Sequence, residues 1–75
     1  MLDKIVAAKY SAERIDDIGI LCNVVYFCPR CEQINKHSRL YDFSNNNCLN
    51  AYDRILLECR FCGKKAYVLN PESEN

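Results

Sequence analysis

The sequence predicts a small α+β fold stapled by a metal ion: two β-hairpins, each tipped by a pair of cysteines, preceded by an N-terminal helix. Three observations lead there. A strand-like run, a Cys-x-x-Cys turn and a second strand-like run occur twice along the chain. Residues 1–19 carry apolar side chains at helical intervals. The length, 75 residues, is too short for a self-sufficient core, and chains of this size are marginal unless disulfides, a metal or a partner reinforce them.

Ile5, Ala8, Ala12 and Ile15 recur at steps of four, four and three, which places them on one face of a helix. Asp3 sits where the helix dipole favours negative charge, and Gly19 is placed as a C-terminal stop. Ser11 could instead cap a second short helix over 12–18. From Ile20 to Phe27 the chain is rich in β-branched and aromatic residues and reads as a strand. It runs directly into Cys28-Pro29-Arg30-Cys31, and residues 32–43 read as the returning strand. Ser44-Asn45-Asn46-Asn47 is a polar loop. The pattern then repeats: Arg54 to Glu58 leads into Cys59-Arg60-Phe61-Cys62-Gly63, and Lys64 to Leu69 leads out. Asn70-Pro71 ends strand pairing. The expected organisation is a helical segment over 1–19, a metal-centred domain over 20–70 and a tail over 71–75.

The spacing of Cys28, Cys31, Cys59 and Cys62 makes them the expected ligands. Zinc takes four thiolates at tetrahedral positions, and a Cys-x-x-Cys turn at a hairpin tip aims two of them at one ion. Pro29 presets φ for the first turn, and Gly63 suits a turn that needs positive φ. The 27 residues between Cys31 and Cys59 leave room for two strands and a loop. Disulfides among the six cysteines, a redox-active pair and a four-cysteine iron centre are the rival uses. Redox pairs sit at a helix N-terminus in a βαβ setting, whereas here strands follow and the motif is duplicated. Cys22, in an apolar strand, and Cys48 are expected in the core; His37 lies in a polar stretch and is expected in solvent.

Residues 1–8 resemble no export leader, and no apolar run approaches the roughly 18 residues needed to span a bilayer. The expectation is an intracellular chain with reduced cysteines. Ten basic and ten acidic residues give no net charge, which disfavours a nonspecific nucleic-acid coat. The distribution is uneven: between Arg30 and Lys65 stand seven basic residues against four acidic ones. A thiolate-rich metal site is itself negative and offsets part of that surplus. No Ser/His/Asp set, phosphate loop or carboxylate pair is present, and a closed four-thiolate shell has no open coordination position. Neither catalysis nor a small-molecule substrate is expected.

With FCPRC at Phe27–Cys31 and LECRFCG at Leu57–Gly63, residues 20–70 resemble the zinc-ribbon fold group. The resemblance implies two knuckles over one structural Zn²⁺, with Cys28, Cys31, Cys59 and Cys62 as ligands. Residues 55–70 are also similar to the second knuckle of phage Com-type translational activators, small RNA binders; the first half and the spacer depart from that family. Zinc ribbons serve many roles, so two expectations follow. One is a nucleic-acid-binding module in transcription or translation, using Arg30, Arg60, Phe61, Lys64, Lys65 and Tyr67 for phosphate contacts and base stacking. The other is an adaptor docking on a larger assembly such as a polymerase, ribosome or viral particle.

Overall fold

The computed structural model describes residues 3–44 and 50–73. Six strands run in the order β1 (Asp3–Val6), β2 (Lys9–Ile15), β3 (Gly19–Phe27), β4 (Ile34–Asp42), β5 (Arg54–Glu58) and β6 (Lys65–Leu69). They form two three-stranded sheets, ordered β1-β6-β5 and β2-β3-β4. The two expected hairpins are both present: β3 pairs antiparallel with β4, ending at Phe27 opposite Ile34, and β5 with β6, ending at Glu58 opposite Lys65. A 3₁₀ turn over Pro71–Ser73 follows β6. The polar loop expected at 44–47 lies, Ser44 apart, outside the described residues, as does Cys48. Among the described residues no helix is long and apolar enough to cross a membrane.

The N-terminal helix is not formed; residues 3–15 are two strands. β1 adds to β6 in parallel, Ile5 opposite Val68, and β2 adds to β3 in antiparallel, Ala12 opposite Cys22. The chain changes sheets at one peptide: the Ala7 amide donates to the Leu69 carbonyl (3.0 Å) and the Ala8 amide to the Val25 carbonyl (2.8 Å). The helical spacing of Ile5, Ala8, Ala12 and Ile15 is overridden because the hairpins each present an edge of unpaired backbone groups. A strand satisfies those groups and a helix does not. Period two then sets the burial: Tyr10 and Ala12 turn toward the core, between exposed Lys9, Ser11 and Glu13. Asp3, expected to favour a helix start, instead pairs with Lys64 at 3.2 Å.

The inner faces of the sheets share one core. Ile20, Cys22, Val24, Tyr26 and Tyr41 from one sheet meet Ile55, Leu57 and Val68 from the other. Cys22 is fully buried, as expected, and burial pushes its thiol up to about 11. The connection into β5 is tied to this core through the Ala51 carbonyl, which accepts from the Tyr10 hydroxyl and the Cys22 thiol at 3.6 Å. His37 is half-buried on the inner side of β4, not solvated, and its Nε2 lies 3.1 Å from the Tyr41 hydroxyl.

Gly19 ends no helix; it opens β3, where the strand passes against β4. A Cβ there would lie 2.3 Å from the Tyr41 carbonyl oxygen and 2.9 Å from its carbon. Those atoms belong to the ladder and cannot swing aside like a side chain. Gly19→Ala is therefore expected to lower stability by about 1–3 kcal/mol, the range for overpacking a tight site. The check is a drop in the chemical-denaturation midpoint with unchanged slope.

Candidate metal centre

Each hairpin is closed by six residues, 28–33 between β3 and β4 and 59–64 between β5 and β6. The two turns are built alike. The first cysteine amide donates across the turn, Cys28 to the Gln33 carbonyl (3.0 Å) and Cys59 to the Lys64 carbonyl (2.8 Å). The first cysteine carbonyl accepts from the residue four further on, Glu32 at 2.9 Å and Gly63 at 2.9 Å. These residues hold the same left-handed backbone, φ 62° at Glu32 and 80° at Gly63. Gly63 meets this demand as its sequence position suggested. Glu32 meets the same demand with a side chain, at about 1–2 kcal/mol for an L-residue.

The turns bring Cys28, Cys31, Cys59 and Cys62 together with all four sulfurs within 4.8 Å of one another. Cys28 and Cys59 are buried, Cys31 and Cys62 partly exposed. Across the turns the sulfurs lie 3.5 Å apart for Cys28 and Cys62 and 3.6 Å for Cys31 and Cys59. A disulfide needs about 2.05 Å. Sulfurs at the corners of a tetrahedron about 2.3 Å from its centre lie about 3.8 Å apart. The four are free thiols, and their spacing fits a shared metal ion, which the cluster can hold.

Asn35, at the start of β4, braces one turn against the other. It is 4% exposed, and its Oδ1 accepts from the Arg60 amide at 3.0 Å. Its Nδ2 donates to the Gln33 carbonyl (3.3 Å) and to the Cys59 sulfur (3.4 Å). The Phe61 amide donates to the same sulfur at 3.4 Å. Nothing in the local sequence sets Asn35 apart from its polar neighbours Lys36, His37 and Ser38. Its one sequence signal is its place, four residues beyond Cys31 and next in the alternation before His37.

These donors divide the thiols. At Cys59 burial opposes ionisation, yet the Cys62 and Phe61 amides and the Asn35 amide outweigh it and bring the thiol down to about 6. Cys28 is also lowered, mainly by the Cys31 amide. At Cys31 the Gln33 amide favours the thiolate, but burial and the neighbouring sulfurs prevail and push it up to about 12. Cys62 is raised for the same reasons, against the Lys64 amide. Each close sulfur pair thus joins a favoured thiolate to a favoured thiol. Metal binding displaces the retained protons, so affinity falls as pH falls.

The six residues read as a nucleic-acid surface are split by the fold. Arg30, Arg60 and Phe61 are exposed on the knuckle turns, Phe61 at 59%. Lys65 is exposed beside Glu58. Tyr67 is half-buried on β6 with the Arg54 guanidinium 6.0 Å from its ring. Lys64 is engaged by Asp3.

Compared with known proteins, the chain matches no family model, no curated protein and no solved structure. Fold and site define its class by themselves: a small all-β domain of two three-stranded sheets whose hairpins converge on a four-cysteine cluster able to hold a metal ion.

Two outcomes are expected of the turns. Asn35→Ala removes a donor to Cys59 and an acceptor from the second turn; metal affinity, read by competition with a chromophoric chelator, should fall about 10–100-fold with stoichiometry retained. Gly63→Ala has room for its Cβ, the nearest atom being Glu58 Oε1 at 3.8 Å, so its cost is backbone strain of about 1 kcal/mol. Glu32→Gly should be neutral or stabilising by up to about 1 kcal/mol, and equal losses from both substitutions in thermal melts would contradict the equivalence of the turns.

Proposed function

We propose that this chain is a zinc-organised, non-catalytic binding module that acts on nucleic acid, within the cell, in the control of transcription or translation. All-thiolate ligation and the sulfur spacing favour Zn²⁺ as a structural ion, and two knuckles meeting over one metal are what the resemblance to zinc ribbons implied. A closed shell of four protein ligands gives the ion no position for substrate.

The observation that carries the nucleic-acid reading is the state of the basic side chains in the central segment. Arg30, Arg39, Arg54, Arg60 and Lys65 make no ion pair among the described residues; the pairs there are Arg14–Asp17 and Lys64–Asp3. A neutral chain in which these cations have no carboxylate partner among the described residues keeps them available for phosphate. A second reading, docking on a larger protein assembly, draws on the outer face of β2-β3-β4. There Phe27 and Ile34 stand opposite each other, 54% and 49% exposed.

Metal analysis with fluorescence anisotropy separates these readings. The expected result is one zinc per chain, binding to single-stranded RNA or DNA that weakens steeply with added salt, and loss of binding after chelation. Folded, zinc-loaded protein with no affinity for any oligonucleotide at low salt would sink the nucleic-acid reading and leave the docking one. Structural zinc contributes about 10–16 kcal/mol in finger peptides, more than a small domain's whole stability. Cys59→Ser should accordingly abolish both the fold and the binding.

A further inference from the structure

We propose that the cleft between the edge strands β4 and β5 is a phosphate-binding site through which a single strand of nucleic acid passes, gripped by Arg39 and Arg54. This deepens the nucleic-acid reading above and rests on it.

The cleft has a volume of about 280 Å³ and is lined by Arg39 and Tyr41 from β4, Arg54, Ile55 and Leu56 from β5, Tyr67 from β6, and Asn50. It lies on the side where each sheet ends in a strand with one unpaired edge. Two of its walls are cationic, and among the described residues no carboxylate lines it. Both guanidinium groups are steadied by tyrosine: Arg39 lies 5.4 Å from the centre of the Tyr41 ring and Arg54 lies 6.0 Å from that of Tyr67. Such stacking uses the flat face of guanidinium and leaves its N–H fork free for an oxyanion, the geometry that suits arginine to phosphate. The Tyr41 ring is itself fixed, buried at 4% exposure with its hydroxyl 3.1 Å from His37 Nε2. Burial, then the nearby Arg39 charge, hold His37 below its usual range, so the positive charge of the wall belongs to the arginines.

The lining indicates a nucleic-acid ligand. Sites that enclose a whole small molecule run about 300–1,000 Å³, and this cleft, at about 280 Å³, has room for about one nucleotide. Half-buried Tyr67 and Leu56, 47% exposed, form an apolar lip beside the arginines on which a base can rest. The knuckle cations Arg30 and Arg60 are exposed on their turns and are not among the residues that line this cleft.

The test uses the zinc-loaded full chain and labelled single-stranded oligonucleotides of about ten nucleotides, read by anisotropy across a salt series. The double substitution Arg39→Gln/Arg54→Gln should weaken binding about 30-fold or more and reduce the log–log salt slope by about 1.4, two contacts at about 0.7 each. A charge-matched control, Lys9→Gln/Lys36→Gln, alters residues that flank Val25 on the outer face of the β2-β3-β4 sheet, and should change affinity less than about threefold. Zinc stoichiometry of every variant reports its folding. Free mononucleotide should compete only weakly; competition equal to that of the oligonucleotide would assign the cleft to a small nucleotide and overturn the strand-binding proposal. Equal binding by wild type and the arginine variant would overturn the cleft while leaving the nucleic-acid reading intact. No binding by wild type removes both. Displacement of the oligonucleotide by an acidic peptide at similar concentration would reassign the cleft to a protein partner.

Discussion

Four sulfur atoms held within 4.8 Å of one another are the constraint on which the architecture turns. Four thiolates at that separation repel, and without a cation Cys31 and Cys62 hold their protons more tightly than an ordinary thiol. The backbone amides of both turns and the Asn35 amide lower the cost of the remaining charge. With a cation at the centre, the tips of two hairpins distant in sequence are fixed to one point. That crosslink matters in a domain whose core rests on a few residues from each sheet.

The hairpins alone would be incomplete. Each would expose an edge of unpaired backbone groups, and each would present an apolar face too small to be stable by itself. The N-terminal residues pair one edge of each hairpin and enlarge both apolar faces with one stretch of chain. β1 lengthens one sheet and β2 the other, crossing between them at Ala7 and Ala8. The crossing seals one side of the sandwich, so residues 3–15 act as a second staple opposite the open side where β4 and β5 remain edges. Asp3 and Lys64 anchor the start of this stretch near the second knuckle. The arginine-lined cleft occupies the open side, where the topology leaves backbone and side chains accessible.

The hairpins and the cysteine cluster were legible in the sequence because they are local. Two cysteines at a hairpin tip point one way whatever the rest of the chain does, and the run from Ile20 to Phe27 has strand composition from end to end. Gly63 announced a positive φ; the matching demand at Glu32 could have been read by laying one knuckle over the other. Residues 1–15 misled because Ile5, Ala8, Ala12 and Ile15 satisfy the helical period while β2's own alternation, Tyr10 and Ala12, is too brief to compete on pattern alone. Asn35 was hidden because its role depends on Cys59 and Arg60, which the chain reaches only 24 and 25 residues later.

The sequence by itself determined the four cysteines that can hold a metal ion, the two knuckle hairpins and the need for a staple, all of which follow from residue spacing and chain length. Tertiary structure decided the state of the N-terminal segment, since the open edges of β3 and β6 outweigh a weak helical period. It also placed Asn35 between the turns and gathered Arg39 and Arg54 beside two tyrosines. Those outcomes depend on which strands lie next to each other, a relation that side-chain periodicity along one strand does not encode.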